Sequence, residues 1–175
     1  KQSRNIAQPH IKDENGKIVV IEQEKMDNLA PAGSIYSCAI DMANYMKLVL
    51  NEGIYNQNTI VSPKVFHELV KPQFLYQVFA TIHNEFTSYG MGWWLTPYKE
   101  HVIIEHSGGV DGMGANLMME KNKKFGVIVM TNASYSSLSF ALTFDAIGNF
   151  LNEKLYKRIS SRIRNNYPKA DSIRL

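Results

Sequence analysis

Between Tyr89 and Asn132 the apolar positions gather into four short runs, YGMGWWLTP, HVIIEH, ANLMME and FGVIVMTN, with the charged EKNKK separating the last two. Short runs joined by short turns predict consecutive strands in an antiparallel meander. FGVIVMTN is nearly all apolar, which predicts a central strand covered on both faces. Upstream the period changes. From Cys38 to Glu52, Met42, Tyr45, Met46 and Val49 fall on one helical face, with Ser37 as the predicted N-cap and Gly53 as the stop. Ser62-Pro63 repeats the pattern of a cap followed by proline at the first helical position, with Val65, Phe66, Leu69 and Val70 inward and Pro72 just beyond the end. Asn15-Gly16, inside QPHIKDENGKIVVIEQE, predicts a hairpin. Gln73 to Thr87 carries aromatics without a clean period and reads as irregular. Phe140, Phe144, Ile147, Leu151 and Leu155 recur at helical spacing and predict a long helix lying across the sheet. The fold class is α/β of the α+β kind, helices packed on an antiparallel sheet, with no internal repeat.

The composition, 45% apolar and 20% charged over 175 residues, is that of one ordinary globular domain and excludes a disordered chain. The single cysteine, Cys38, excludes an internal disulfide and a thiolate metal site. It is expected to be a small buried residue at a helix start. No apolar run reaches the roughly 20 residues that span a bilayer. The net charge of +3 is unevenly spread: from Lys154 onward seven basic residues face one acid, which leaves residues 1–153 at −3. Residues 1–158 therefore read as one domain and 159–175 as a basic tail or linker. A basic run of this kind could be an arm for nucleic acid or an anionic membrane. It reads instead as the solvated end of a helix, where Lys and Arg favour the C-terminal dipole, so no nucleic acid partner is expected. The chain opens at Lys1 and reads as a piece of a longer protein.

Candidate chemistry centres on HSGGVDGMG, which follows APAGSIYSCAIDMANYMKLVLNEG and YGMGWW and precedes KFGVIVMTN. These four pieces, in this order, resemble the C-terminal half of the serine β-lactamase and penicillin-binding-protein superfamily, in the branch of class C-like hydrolases and esterases, over Asn5 to Leu151. That family joins three elements at one cleft: Ser-x-x-Lys with the nucleophile, Tyr-x-Asn or Ser-x-Asn, and a strand carrying Lys-Thr-Gly or His-x-Gly. His106-Ser107-Gly108 matches the third. The resemblance implies that His106 polarises the site or holds a substrate carboxylate, and that the Gly109 N–H is the strand's oxyanion donor. One such donor stabilises the transition state by about 3 kcal/mol. It also implies that Ser107, Gly108 and Gly112 shape the substrate-binding cleft, with Gly108 letting a substrate backbone approach closely.

The other two elements are missing. The nearest approach to Ser-x-x-Lys is Ser161-Arg162-Ile163-Arg164, which ends in arginine and lies on the wrong side of the third motif. Ser3-Arg4-Asn5 has the form of Ser-x-Asn, but NIAQPH resembles the segment that follows the second motif. The expectation is a hydrolase of amides or esters acting through an acyl-enzyme, whose nucleophile lies in the N-terminal portion of the longer protein. The isolated chain would then be inactive. Substrates would be small molecules or peptides, and His106 in place of lysine leans toward peptidases and esterases. The resemblance also suggests a site of action outside the cytoplasm. A nonenzymatic binding module of the same fold is the alternative.

Neither cofactor nor metal is expected. His101 and His106, five apart on a strand, point to opposite faces, and His10, His67 and His83 have no ligand spacing. Asp41 reads as a first-turn helix acid and Asp111 as a loop acid. Met118 and Met119 read as core. Of Trp93 and Trp94, one is expected in the core and the other bordering the cleft. In the family fold the last strand pairs with an N-terminal segment, so here FGVIVMTN would offer an open apolar edge. Self-association, strand exchange or cover by the N-terminal hairpin would follow.

Overall fold

The computed structural model describes residues 5–77, 86–134 and 138–152. A hairpin of β1 (His10–Lys12) and β2 (Ile18–Val20) opens it, with Gly16 in the left-handed conformation its turn requires (φ 77°). A 3₁₀ turn (Asp27–Leu29) and the single turn α1 (Ala30–Gly33) lead to α2 (Ala39–Leu50). The short β3 (Ile54–Tyr55) and β4 (Asn58–Thr59) then connect to α3 (Pro63–Leu69). Next come β5 (Phe74–Gln77), β6 (Phe86–Tyr89), β7 (Trp94–Tyr98), β8 (His101–Val110), β9 (Met113–Glu120) and β10 (Phe125–Thr131), followed by α4 (Leu138–Phe150). Among the described residues no helix is long and apolar enough to cross a membrane.

Strands β5 to β10 form one six-stranded sheet in the order β10-β9-β8-β7-β6-β5, every neighbour antiparallel. This is the expected meander, extended by two strands. Part of the stretch read as irregular is β5 and β6, in register from Phe74↔Tyr89 to Gln77↔Phe86. The sheet carries a layer on each face. On one, Met46, Val49 and Leu50 of α2 and Phe66 of α3 pack on Leu95, Ile104, Leu117 and Met119. On the other, Ile147 and Phe144 of α4 pack on Ile103, Met118 and Val127. Met118 and Met119 are both 0% exposed because alternate strand positions enter opposite cores. Burying each stabilises the fold by about 1.5–3 kcal/mol.

Four expectations are corrected. FGVIVMTN is β10, an edge strand, because its apolar character answers to α2 on one face and α4 on the other rather than to two strand neighbours. The N-terminal hairpin does not cover that edge: β1 and β2 pair with each other, and one parallel bridge, His10↔Ala133, meets the chain just past β10. Cys38 is exposed. It also stands at the N-cap of α2, one residue beyond Ser37, and makes no capping bond. Ser62 caps α3 as expected, accepting from the Val65 N–H at 3.4 Å. In α4, Ile147 is buried and Phe140 exposed. Leu155 and the basic tail lie outside the described residues.

Candidate active site

Strand β8 outruns β7. Pairing with β7 ends at Trp94↔Glu105, whereas pairing with β9 continues to Val110↔Met113. Two-residue turns close both hairpins, Lys99-Glu100 and Asp111-Gly112. The pair beside such a turn exchanges both hydrogen bonds, and bonded pairs alternate with non-bonded ones along an antiparallel ladder. Counting from Tyr98↔His101 and from Val110↔Met113 yields the same assignment: odd-numbered residues of β8 aim N–H and C=O toward β7, even-numbered ones toward β9. The backbone groups of Ser107 and Gly109 therefore point past the end of β7, where among the described residues no strand pairs with them.

The glycines on this margin differ in kind. A Cβ at Gly108 would meet nothing within 4 Å, and one at Gly109 would meet the Met113 carbonyl oxygen at 3.9 Å. Neither has the positive φ that demands glycine. Gly112, by contrast, is a buried turn residue at φ 77° whose Cβ would lie 2.4 Å from Pro9 Cβ and 2.7 Å from His10 N. The fold accounts for Gly112. The buried Pro9 segment is pinned there by His10 N–H donating to the Gly112 carbonyl at 3.2 Å, and by the Asn132 amide donating to the Gln8 carbonyl at 3.0 Å.

His106, Ser107, Gly108 and Gly109 are all exposed. The His106 ring is held at both nitrogens: Nδ1 lies 2.7 Å from the Ser107 carbonyl oxygen and Nε2 lies 3.2 Å from the Tyr89 hydroxyl. Trp94 meets the Tyr89 ring edge-on, centroids 4.6 Å apart at 66°. Trp93 is buried and stacks on Tyr45. The two tryptophans thus divide as expected, one in the core and one beside the site. Around Gly109 an open recess of about 460 Å³ is lined by Glu24, Met26, Val110 and Asp111. The sequence reading did not single out Tyr89, Glu24 or Met26; only YGMGWW marked one of them.

Behind the margin, burial raises the pKa of the Glu105 carboxyl, an effect opposed by the Thr96 hydroxyl, which donates to Oε1 at 2.7 Å. Thr96 is in turn 2.8 Å from the buried Thr87 hydroxyl. His101 belongs to neither site nor metal cluster. It is buried at the far end of β8, with Nδ1 3.3 Å from Oε1 of the fully buried Glu120. Among the described residues no three His, Cys, Asp or Glu side chains converge as metal ligands.

Comparison with known proteins agrees with this architecture. The solved structure of an octameric penicillin-binding protein homologue from Pyrococcus abyssi superposes with a TM-score of 0.72 at 20% identity, over 95% of this chain and 36% of that one. A stretch of 50 residues, 29% of the chain, is 40% identical to the unguisins hydrolase ungD of Aspergillus violaceofuscus (strain CBS 115571) and covers 9% of that protein. The chain thus spans well under half the length of either relative. A family model described as Beta-lactamase matches residues 2–151, and the chain belongs to that family.

Proposed function

We propose that the chain forms the substrate-binding half of a serine hydrolase that cleaves an amide or ester through an acyl-enzyme. In this reading the Gly109 N–H donates to the developing oxyanion and His106 lines the pocket. Ser107 and Gly108 offer a flat backbone margin along which a small-molecule or peptide substrate lies, and Gly112 holds the turn beneath them. The nucleophile comes from polypeptide beyond these 175 residues, since no Ser-x-x-Lys occurs in them. One observation carries the reading: β8 extends past β7 and leaves the odd-numbered backbone groups of 107 and 109 at an edge without a strand partner among the described residues, beside two glycines that neither packing nor φ requires. A glycine with no structural cause is best explained by close approach of a ligand.

An oxyanion donor acts by being aimed in advance at charge that develops in the transition state. Gly109→Pro removes that N–H, and the assigned ladder does not use it. In the longer protein the substitution is expected to lower kcat toward a chromogenic ester by about 10²–10³-fold. An unchanged kcat would refute the assignment. The 175-residue chain alone should show no acylation burst with the same ester. A stoichiometric burst would place a nucleophile inside it and end the two-part reading, while absence of acylation in the longer protein as well would favour a binding module.

A further inference from the structure

We propose that Tyr89 is a positioning residue for His106, holding the imidazole in its Nδ1–H tautomer and leaving the pair's available lone pair on the tyrosine oxygen. The assignment follows from donor and acceptor roles. The Ser107 carbonyl can only accept, so at 2.7 Å it requires a hydrogen on Nδ1. A neutral imidazole carries one hydrogen, which leaves Nε2 with its lone pair. The hydroxyl 3.2 Å away must then be the donor, Tyr89 O–H to His106 Nε2. The free histidine side chain favours the opposite tautomer, with the hydrogen on Nε2. Both contacts therefore select the less common form, as partners at one ring nitrogen set the state of the other.

The tyrosine is well placed to impose this. It closes β6 and pairs on both sides, with Phe74 of β5 and Trp94 of β7. Trp94 also walls its ring edge-on at 4.6 Å. Among the described residues the two contacts named are the hydrogen bonds of the His106 side chain, and they occupy both ring nitrogens. The imidazole thus keeps no free nitrogen lone pair, whereas the Tyr89 oxygen keeps one. When a proton arrives at that oxygen, the original hydroxyl hydrogen passes to Nε2. The pair gains one proton, the imidazole becomes cationic, and Tyr89 keeps an O–H. The functional half of this inference rests on the hydrolase reading above; the tautomer does not.

Long-range proton–nitrogen correlation spectra of the full 175-residue chain test it, recorded in mildly alkaline buffer with His106 assigned through His106→Asn. The expected wild-type pattern is Nδ1–H. Tyr89→Phe should shift His106 toward Nε2–H while the backbone amide spectrum is retained. Trp94→Leu, which keeps the hydroxyl and loosens its wall, should produce a mixture, and it serves as the test if Tyr89→Phe does not fold. An Nε2–H pattern in the wild type, or an unchanged tautomer in a folded variant, would overturn the proposal. In the longer protein Tyr89→Phe is expected to lower kcat/KM for a chromogenic ester about tenfold, the size of one lost neutral hydrogen bond. A tautomer shift with unchanged kcat/KM would remove the role in the reaction and leave the hydrolase reading intact.

Discussion

Adding one methyl group at Gly108 and one at Gly112 separates what the fold requires from what a ligand requires. At Gly112 alanine must hold a φ of 77°, and its Cβ would stand 2.4 Å from Pro9 Cβ. The left-handed conformation costs about 1–2 kcal/mol for a residue with a Cβ. Displacing the buried Pro9 segment adds about 1–3 kcal/mol, the usual cost of overpacking. A combined loss of about 2–5 kcal/mol should lower a urea midpoint by about 1–2.5 M at a slope near 2 kcal/mol/M. At Gly108 the same methyl meets nothing within 4 Å. Stability should stay within about 0.5 kcal/mol, or rise slightly because the unfolded chain loses freedom. Urea unfolding of both variants at unchanged slope measures this on the 175-residue chain. In the longer protein Gly108→Ala should reduce kcat/KM about tenfold or more, since the methyl occupies space a substrate backbone would use. Equal destabilisation by the two substitutions would refute the distinction. So would a stable Gly108→Ala with undiminished kcat/KM.

Glu105→Gln should stabilise the chain at neutral pH: burial raises the folded-state pKa above its ordinary 4.5, so the carboxylate form is disfavoured in the fold. The gain should vanish below the ordinary carboxylate range, where both states are protonated, and unfolding midpoints for the two chains across pH check it. Glu52 behaves oppositely. Lys121, 2.8 Å away, and then His67 lower its pKa to about 2, so its contribution is present above pH 4.5 and is lost as pH falls toward 2. Lys121→Ala should flatten that acid limb in the same titration, with a small effect at neutral pH because the pair is partly exposed. The margin of β10 that has no strand partner among the described residues should drive concentration-dependent association, and Met130→Lys, at an exposed position of that strand, should suppress it. Sedimentation equilibrium showing a monomeric wild type at all accessible concentrations would refute the edge as an interface.

What is legible in this sequence and what is not have one physical cause: side-chain pattern reports faces and not lateral neighbours. Met118 and Met119 were legible as core because adjacent apolar residues in a strand demand cover on both sides, and α2 and α4 supply it. The same rule misplaced β10: two covered faces make a strand apolar whether or not a neighbour lies beside it. β5 and β6 escaped notice because Phe74, Leu75 and Tyr76 are all exposed, leaving no alternation to detect. At the site, His106 to Gly109 could be recognised because residue type and order are local properties.

What turns that stretch into a margin is register, which the sequence does not display. The Lys99-Glu100 turn sets β7 against β8 so that β7 ends opposite Glu105, and the Asp111-Gly112 turn carries β9 onward to Val110. Shifting the first turn by two residues would put partners beside Ser107 and close the edge, with scarcely a change in hydrophobic pattern. Tyr89, seventeen residues before His106, belongs to the same class of information. It meets the imidazole only because β6, β7 and β8 are sequential neighbours, so that Tyr89↔Trp94 and Trp94↔Glu105 line up across three strands one residue short of His106. A two-residue slip of β7 against β8 would therefore break the Tyr89–His106 contact while leaving HSGGVDGMG untouched. The motif would survive in the sequence without the geometry that gives it a use.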